Sequence, residues 1–289
     1  MGQQLVRCKV GDKMPEMPEV ETVRRTLLPL VKGKTIKKVI LWYPKIVATD
    51  HEKFLSELPG KKIIDIDRYA KYLLIRLSDN LTIVSHLRME GKYHLTASAA
   101  PKDKHDHVEF VFTDGTALRY NDVRKFGRMQ LILTGTERQT TGIGKLGVEP
   151  NSSKFTSEYL INGLKRKKKN IKNTLLDQSV VAGLGNIYVD EVLWRTKIHP
   201  LSQANKIPVE KVSELHDQIN KIIAEAIKLQ GTTVHSFLNA NGQVGGFQSK
   251  LQVYGHVGEP CPVCGTKFEK IKVNGRGTTF CPHCQVIYK

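Results

Sequence analysis

Apolar positions along the chain recur at two different spacings. Val20, Val23, Leu27 and Leu30 fall at helical intervals behind Pro18, with Glu19 and Glu21 at the positive end of the helix dipole and Gly33 as a stop, so the spacing predicts a helix from Pro18. β-like runs follow at residues 35–42, 61–67, 72–77, 82–87, 108–113, 116–120 and 128–133, with Asp79-Asn80 and Asp114-Gly115 as hairpin turns. Seven short strands at close spacing predict a sandwich or barrel with the first helix packed on it. Beyond Gly147-Val148-Glu149-Pro150 the period becomes helical, with segments near 156–164, 171–177, 187–195 and 209–229, which predicts a second, all-helical domain. A Gly-rich stretch, Asn239 to Gly246, separates it from a cysteine-bearing C-terminus, and residues 1–13 carry neither period and read as a tail.

The cysteines change this picture most. Cys261, Cys264, Cys281 and Cys284 form a C-x2-C-x16-C-x2-C pattern, the spacing of a four-cysteine zinc ribbon with a β-hairpin between its knuckles. Two disulfides are the structural alternative, disfavoured because nothing else in the chain looks secretory. Zinc held by four thiolates has no open position, so one structural Zn2+ that activates no water is expected. Charge adds a partner: 45 Lys+Arg against 28 Asp+Glu give a net +17, and a pI near 9.6 favours a polyanion, nucleic acid before an anionic membrane. No apolar run approaches bilayer length. The fifth cysteine, Cys8, is alone, and such usage fits a reducing cytoplasm.

Several local patterns could bind that polyanion. Lys165 to Lys169 are five consecutive basic residues followed by Lys172, either a solvated helix face or a phosphate contact. They precede Gly183-Leu184-Gly185-Asn186, where Asn186 could cap a helix beginning at Ile187 and offer its N-terminus to phosphate; a plain helix-helix turn is the rival. Arg124-Lys125-Phe126 could place a cation in a groove and a ring between base steps, or Phe126 could be core; Met89 is equally a packing residue or a wedge. In His105-Asp106-His107, strand alternation would put both histidines on one face with Asp106 opposite, and no third ligand is apparent, so metal is not expected there.

Read together, Pro15-Glu16-Met17-Pro18-Glu19-Val20-Glu21-Thr22, Ala70-Lys71-Tyr72-Leu73-Leu74, Lys104-His105-Asp106-His107, Gly185-Asn186-Ile187-Tyr188, Leu251-Gln252-Val253-Tyr254-Gly255 and the terminal ribbon resemble the formamidopyrimidine-DNA glycosylases, from Met14 to Lys289. The resemblance implies an α+β multidomain fold: an N-terminal catalytic β-sandwich with packed helices over 14–148, a helix-two-turn-helix DNA-binding domain over 149–238, and a lid segment with a C-terminal zinc-ribbon hairpin over 239–289. It implies excision of oxidised purines from duplex DNA and cleavage of abasic sites by β,δ-elimination. Pro15 would be the nucleophile through an N-terminal α-amine, Glu16 would move a proton at the sugar ring oxygen, Lys71 would be an acid/base group near the lesion, and Arg276 would assist the second elimination. Met89, Arg124 and Phe126 would fill the space left by the flipped base. His105, Lys167, Lys172, Asn186, Tyr254 and Arg276 would contact phosphates, and Thr232 to Phe247 would cover the base. A monomer would suffice, and the setting would be the bacterial cytoplasm.

One departure bears on the chemistry. Family members begin Met-Pro-Glu, whereas residues 1–13 precede that sequence here. An attached tail would leave the Pro15 nitrogen a tertiary amide without a nucleophilic lone pair, so the active protein is expected to start at Pro15. Two rivals follow: the sister glycosylase for oxidised pyrimidines, endonuclease VIII, disfavoured by Arg124 with Phe126 and by Pro15 to Pro18; and a non-catalytic lesion-DNA-binding protein if the tail is retained. RNA binding through the ribbon has only net charge behind it.

Overall fold

The computed structural model describes residues 14–232 and 245–289; the expected tail and most of the expected lid segment lie outside the described residues. The chain runs α1 (Met17–Val31), β1 (Ile36–Leu41), α2 (His51–Glu57), β2 (Ile63–Tyr69), β3 (Tyr72–Leu77), β4 (Leu81–His86), β5 (Lys92–Ala97), β6 (Asp106–Phe112), β7 (Thr116–Asn121), β8 (Arg128–Leu133) and α3 (Glu137–Thr140). The helical part comprises α4 (Ser157–Lys165), α5 (Ile171–Leu176), α6 (Asn186–Arg195) and α7 (Val209–Lys228), and the ribbon carries β9 (Glu269–Val273) and β10 (Arg276–Phe280).

The first eight strands form two antiparallel sheets, ordered β1-β6-β7-β5 and β2-β3-β4-β8. Phe54, Ile66, Ile83, Phe110, Leu118 and Tyr120 fill the space between them, joined by Val20, Val23 and Leu27 of α1. This is the expected sandwich with one strand more than the spacing indicated. The extra strand, β5, is an edge strand paired only to β7, and Tyr93 is its one buried residue, so it carries almost no alternation to read. Asp79 and Asn80 both adopt positive φ, as a two-residue hairpin turn of the primed type demands. The first helix begins at Met17, one residue earlier than expected, with Glu16 as its N-cap residue.

The four later helices share a second core built on Leu160, Leu164, Ile171, Leu175, Tyr188, Val192, Leu215, Ile219 and Ile222. Thr156 and Asn170 cap α4 and α5 by accepting hydrogen bonds from the amides of Tyr159 and Asn173. Met17 belongs to this helical core while Val20 and Val23, one turn later, belong to the sandwich. The start of α1 therefore lies at the junction of the two units. In the ribbon, Val253, Cys261, Phe268 and Cys281 cluster against Trp194 of α6. No helix among the described residues is long and apolar enough to cross a membrane.

Candidate active site

Pro15 and Glu16 are buried at that junction. The amide of Met17 donates to the carbonyl of Gly183 (3.1 Å), and the amide of Glu16 donates to Glu19 Oε2 (3.0 Å). The Glu16 carboxylate reaches across the junction: Oε1 accepts from the amide of Ile187 at 3.0 Å, while Oε2 is buried with no hydrogen-bond partner among the described residues. Burial pushes the Glu16 carboxyl up to about 7, helped by Glu19 and opposed by Lys71 and the α6 amides. A buried carboxyl that holds a proton near neutrality and has one unengaged oxygen is equipped to give that proton up.

Lys71 stands in the turn between β2 and β3, where Ala70 takes φ +49°, and its Nζ donates to the carbonyl of Leu184 at 2.8 Å. Its ammonium is depressed below the usual lysine range, chiefly by burial, with the charge of Arg276 adding to the effect and Glu16 opposing it. Lys71 and Glu16 thus tune each other across the sandwich–helix boundary.

The N-terminus of α6 overturns one expectation. Asn186 does not cap it: Gly185 is the N-cap residue, the Asn186 amide side chain donates to the carbonyl of Gly277 at 3.0 Å, and its Oδ1 is buried without a partner among the described residues. At this helix end the Ile187 amide meets the Glu16 carboxylate. The two glycines serve the same contact. A Cβ on Gly185 would lie 2.2 Å from Glu16 Cδ, and one on Gly183 would lie 2.8 Å from Met17 Cβ, so glycine is what admits α1 here.

Glu19 is the functional residue the sequence reading passed over as a dipole partner. Buried at 3 % exposure, its Oε1 accepts from the Tyr188 hydroxyl (2.7 Å), the Thr232 amide (2.8 Å) and the Thr232 hydroxyl (3.0 Å), while Oε2 holds the Glu16 amide. Its spacing from Glu16, three residues into the helix, is the capping-box signal that could have found it.

Three loops leave one end of the second sheet, because His86 pairs with both Tyr72 and Arg128. One carries Lys71. The second carries Met89, half-buried, in a turn where the Arg88 amide donates to His86 Nδ1 at 3.0 Å; burial holds that imidazole neutral, down at about 3. The third runs from Asp122 to Gly127 and is shaped by the fully buried Asp122 carboxylate, which accepts from the amides of Arg124 (3.0 Å) and Gly127 (2.8 Å). Phe126 is thereby left 48 % exposed with the Arg124 guanidinium 4.8 Å from its ring centroid, so Phe126 is not a core residue. His105, in the turn before β6, accepts the Asp122 amide on its carbonyl (3.0 Å) and flanks the same loop. It does not share a strand face with His107, which is buried against the carbonyl of Asp122 (2.7 Å), and Asp106 is buried too.

Across the junction, Lys167, Lys169, Asn173, Thr174, Asp177, Asn274 and Arg276 line a cleft of about 510 Å³. Apart from Lys165, the last residue of α4, the basic run sits in the α4–α5 connection rather than on a helix face, with Lys167 3.8 Å from Asp177. Arg276 is exposed beside a primed turn at Asn274-Gly275. Lys172 is not where a phosphate contact requires it to be: it is 0 % exposed, and its Nζ lies 2.6 Å from Asp190 Oδ1. Tyr254 is half-buried, and its amide, with those of Gln252 and Val253, donates to the buried Glu191 carboxylate.

In the ribbon the four Sγ atoms lie within 4.8 Å of one another, with Cys261–Cys284 at 4.0 Å and Cys264–Cys281 at 3.5 Å. A tetrahedral ion with Zn–S bonds of about 2.3 Å requires sulfurs roughly 3.8 Å apart, so the cluster fits one structural zinc and leaves it no open position.

Three family profiles match the chain: the formamidopyrimidine-DNA glycosylase N-terminal domain over residues 14–129, the formamidopyrimidine-DNA glycosylase H2TH domain over 146–238, and the zinc finger found in FPG and IleRS over 258–286. The chain belongs to the formamidopyrimidine-DNA glycosylase family. A formamidopyrimidine-DNA glycosylase of Lactobacillus helveticus is 95 % identical over 276 residues, covering 96 % of this chain and all of that one. Among solved structures, MutM in complex with DNA containing carbocyclic 8-oxo-G superposes with a TM-score of 0.88 at 46 % identity, covering 94 % of this chain and 99 % of that one. The Lactococcus lactis Fpg bound to DNA containing an abasic site gives 0.86 at 45 % identity over the same shares. The expected fold class and zinc ribbon stand with the family assignment.

Proposed function

We propose that Pro15 is the nucleophile of a base-excision DNA glycosylase and abasic-site lyase acting on oxidised purines in duplex DNA. The glycosylase and lyase activities are those of the family. The assignment of steps to residues is carried by one observation: Glu16, with its free buried oxygen, lies beside Pro15 and within the field of Lys71, which itself feels the charge of Arg276.

The chemistry follows from the amine. A free α-amine has a pKa near ~7.8 against ~10.4 for lysine, so at pH 7.5 about a third is neutral, compared with about a thousandth of an ordinary lysine. The Pro15 nitrogen bonds to C1′ as the glycosidic bond breaks, and the proton that the amine gives up neutralises the departing base. Glu16 delivers its proton to the ring oxygen, the C1′–O4′ bond opens, and a secondary amine leaves a cationic iminium. That electron sink acidifies C2′; loss of its proton expels the 3′ phosphate, and a second elimination expels the 5′ phosphate. Lys71 serves proton transfer near the lesion, and Arg276 binds the phosphate that leaves. Met89, Arg124 and Phe126 hold the duplex open, which costs a few kcal/mol per flipped base. His105, Lys167, Asn186 and Tyr254 supply phosphate contacts. Lys172 drops out of that set because it is sealed from solvent.

The active species begins at Pro15, since an acylated proline nitrogen has no lone pair to give. The family profile, whose match begins at residue 14, supports that start. We place the enzyme in the bacterial cytoplasm as a monomer, where thiols stay reduced for zinc. Incubating the Pro15-starting protein with duplexes carrying 8-oxoguanine opposite cytosine, or an oxidised pyrimidine, tests the reading. It predicts faster excision of the purine and a one-nucleotide gap; preference for the pyrimidine would reassign the substrate class, and binding without incision would make the protein a lesion binder.

A further inference from the structure

A two-stranded ribbon has open outer edges, so the outward backbone groups of β10 need partners from outside the sheet. Two of them find side chains of the helical unit. The Thr279 amide donates to Asp190 Oδ2 (3.1 Å), and the carbonyl of Gly277 accepts from Asn186 Nδ2 (3.0 Å) and from Lys172 Nζ (3.3 Å). Asp190 Oδ1 and Lys172 Nζ are 2.6 Å apart, at 1 % and 0 % side-chain exposure. The pair therefore grips β10 at both residues flanking Thr278, and Gly277 directly follows Arg276. Burying an ion pair where solvent could have solvated each charge is costly unless its remaining hydrogen bonds are made, and here the backbone of β10 makes them.

We propose that Lys172 and Asp190 are positioning residues for Arg276: they lock the register of the ribbon hairpin against α5 and α6 and so set where its guanidinium meets the DNA phosphate. Neither touches DNA. The Arg276 charge is felt at both Lys172 and Lys71. The inference rests on the assignment of a phosphate contact to Arg276.

Asp190→Asn separates this role from simple electrostatics, because removing a negative charge near a DNA-binding face would by itself tighten binding. The proposal expects the opposite. Equilibrium binding to an abasic-analogue duplex weakens roughly tenfold, the size of one lost charge-assisted contact, and the slope of log K against log salt falls by about one. Zinc content stays at one per chain, and Asp190→Asn adds nothing to Arg276→Ala. Unchanged or tighter binding by Asp190→Asn, with Arg276→Ala weakened, overturns the proposal. If Arg276→Ala alone leaves affinity and slope intact, the phosphate role of Arg276 fails instead. Should Asp190→Asn lose its zinc or its melting transition, Lys172→Met is measured with and without Arg276→Ala: losses that merge support positioning, and losses that multiply show an independent contact.

Discussion

Glu16 meets three requirements at once: it closes the N-terminus of α6, it lies beside the proposed nucleophile, and it holds a proton near neutrality. Because burial raises its carboxyl to about 7, the proton is present below that pH and lost above it. Pro15 needs the reverse, a neutral amine above about 7.8. Base excision should therefore peak between about 7 and 8 and fall on both sides, the alkaline fall reporting Glu16. Glu16→Gln should lower 8-oxoguanine excision at least about a hundredfold while still cleaving a preformed abasic site, whose hemiacetal opens to the aldehyde without an enzyme; equal loss on both substrates would remove the ring-opening role. At this scale the motifs pointed to Pro15, Glu16 and Lys71. They did not reveal that Lys172 is sealed or that Glu19 is a hub, because both facts depend on partners far along the chain: Asp190 and Gly277 for one, Tyr188 and Thr232 for the other.

The loop from Asp122 to Gly127 shows how one buried carboxylate displays a ring to solvent. Two backbone amides satisfied by Asp122, with Lys125 at φ +59°, leave no place in the core for Phe126. Phe126→Ala should cost almost no stability yet slow excision from duplex about tenfold, while leaving cleavage of a single-stranded abasic site unchanged. A fall on both substrates would show general damage to the site. A second element-level device joins α1 to β2 and the domain connection: Glu21 accepts from Arg24, Arg25 and Arg68, and Arg68 also pairs with Glu149. Burial would raise the Glu21 carboxyl, but these guanidinium hydrogen bonds override it and hold it down at about 2. A depressed carboxyl stabilises the fold above its unfolded value, near 4.5, and that contribution fades as pH falls toward 2. Melting curves of wild type and Glu21→Gln should differ by a constant amount above about pH 5 and converge in acid; a gap that persists at low pH would contradict the assignment. Among the elements, the apolar periods located α1, seven strands and the four helices of the helical unit. They missed β5, whose edge position leaves one buried residue, and they could not show that the glycines at 183 and 185 accommodate the start of α1.

Across the whole molecule, the proposed assignment puts the nucleophile at the junction, Lys71 and His105 on the sandwich, and the remaining phosphate-binding groups on the helical unit, the segment after it and the ribbon. Affinity for DNA should then fall steeply with salt, and Lys167→Ala should flatten that dependence by roughly one unit; an unchanged slope would mark Lys167 as a merely solvated cation. Chelating the zinc should unfold the ribbon and remove Arg276 from the cleft, weakening DNA binding while the sandwich and helices stay folded. Full affinity in the chelated protein would refute the ribbon's part in binding. Composition and the cysteine spacing made this division of labour legible in outline, and the resemblance supplied its chemistry. The measurement that bears most directly on that chemistry is mass mapping of the adduct trapped by borohydride on an 8-oxoguanine duplex. The account predicts a reduced sugar carried on the nitrogen of Pro15 in a chain that starts there. An adduct on Lys71, or a Pro15-starting protein that excises the base without ever being trapped, would contradict it.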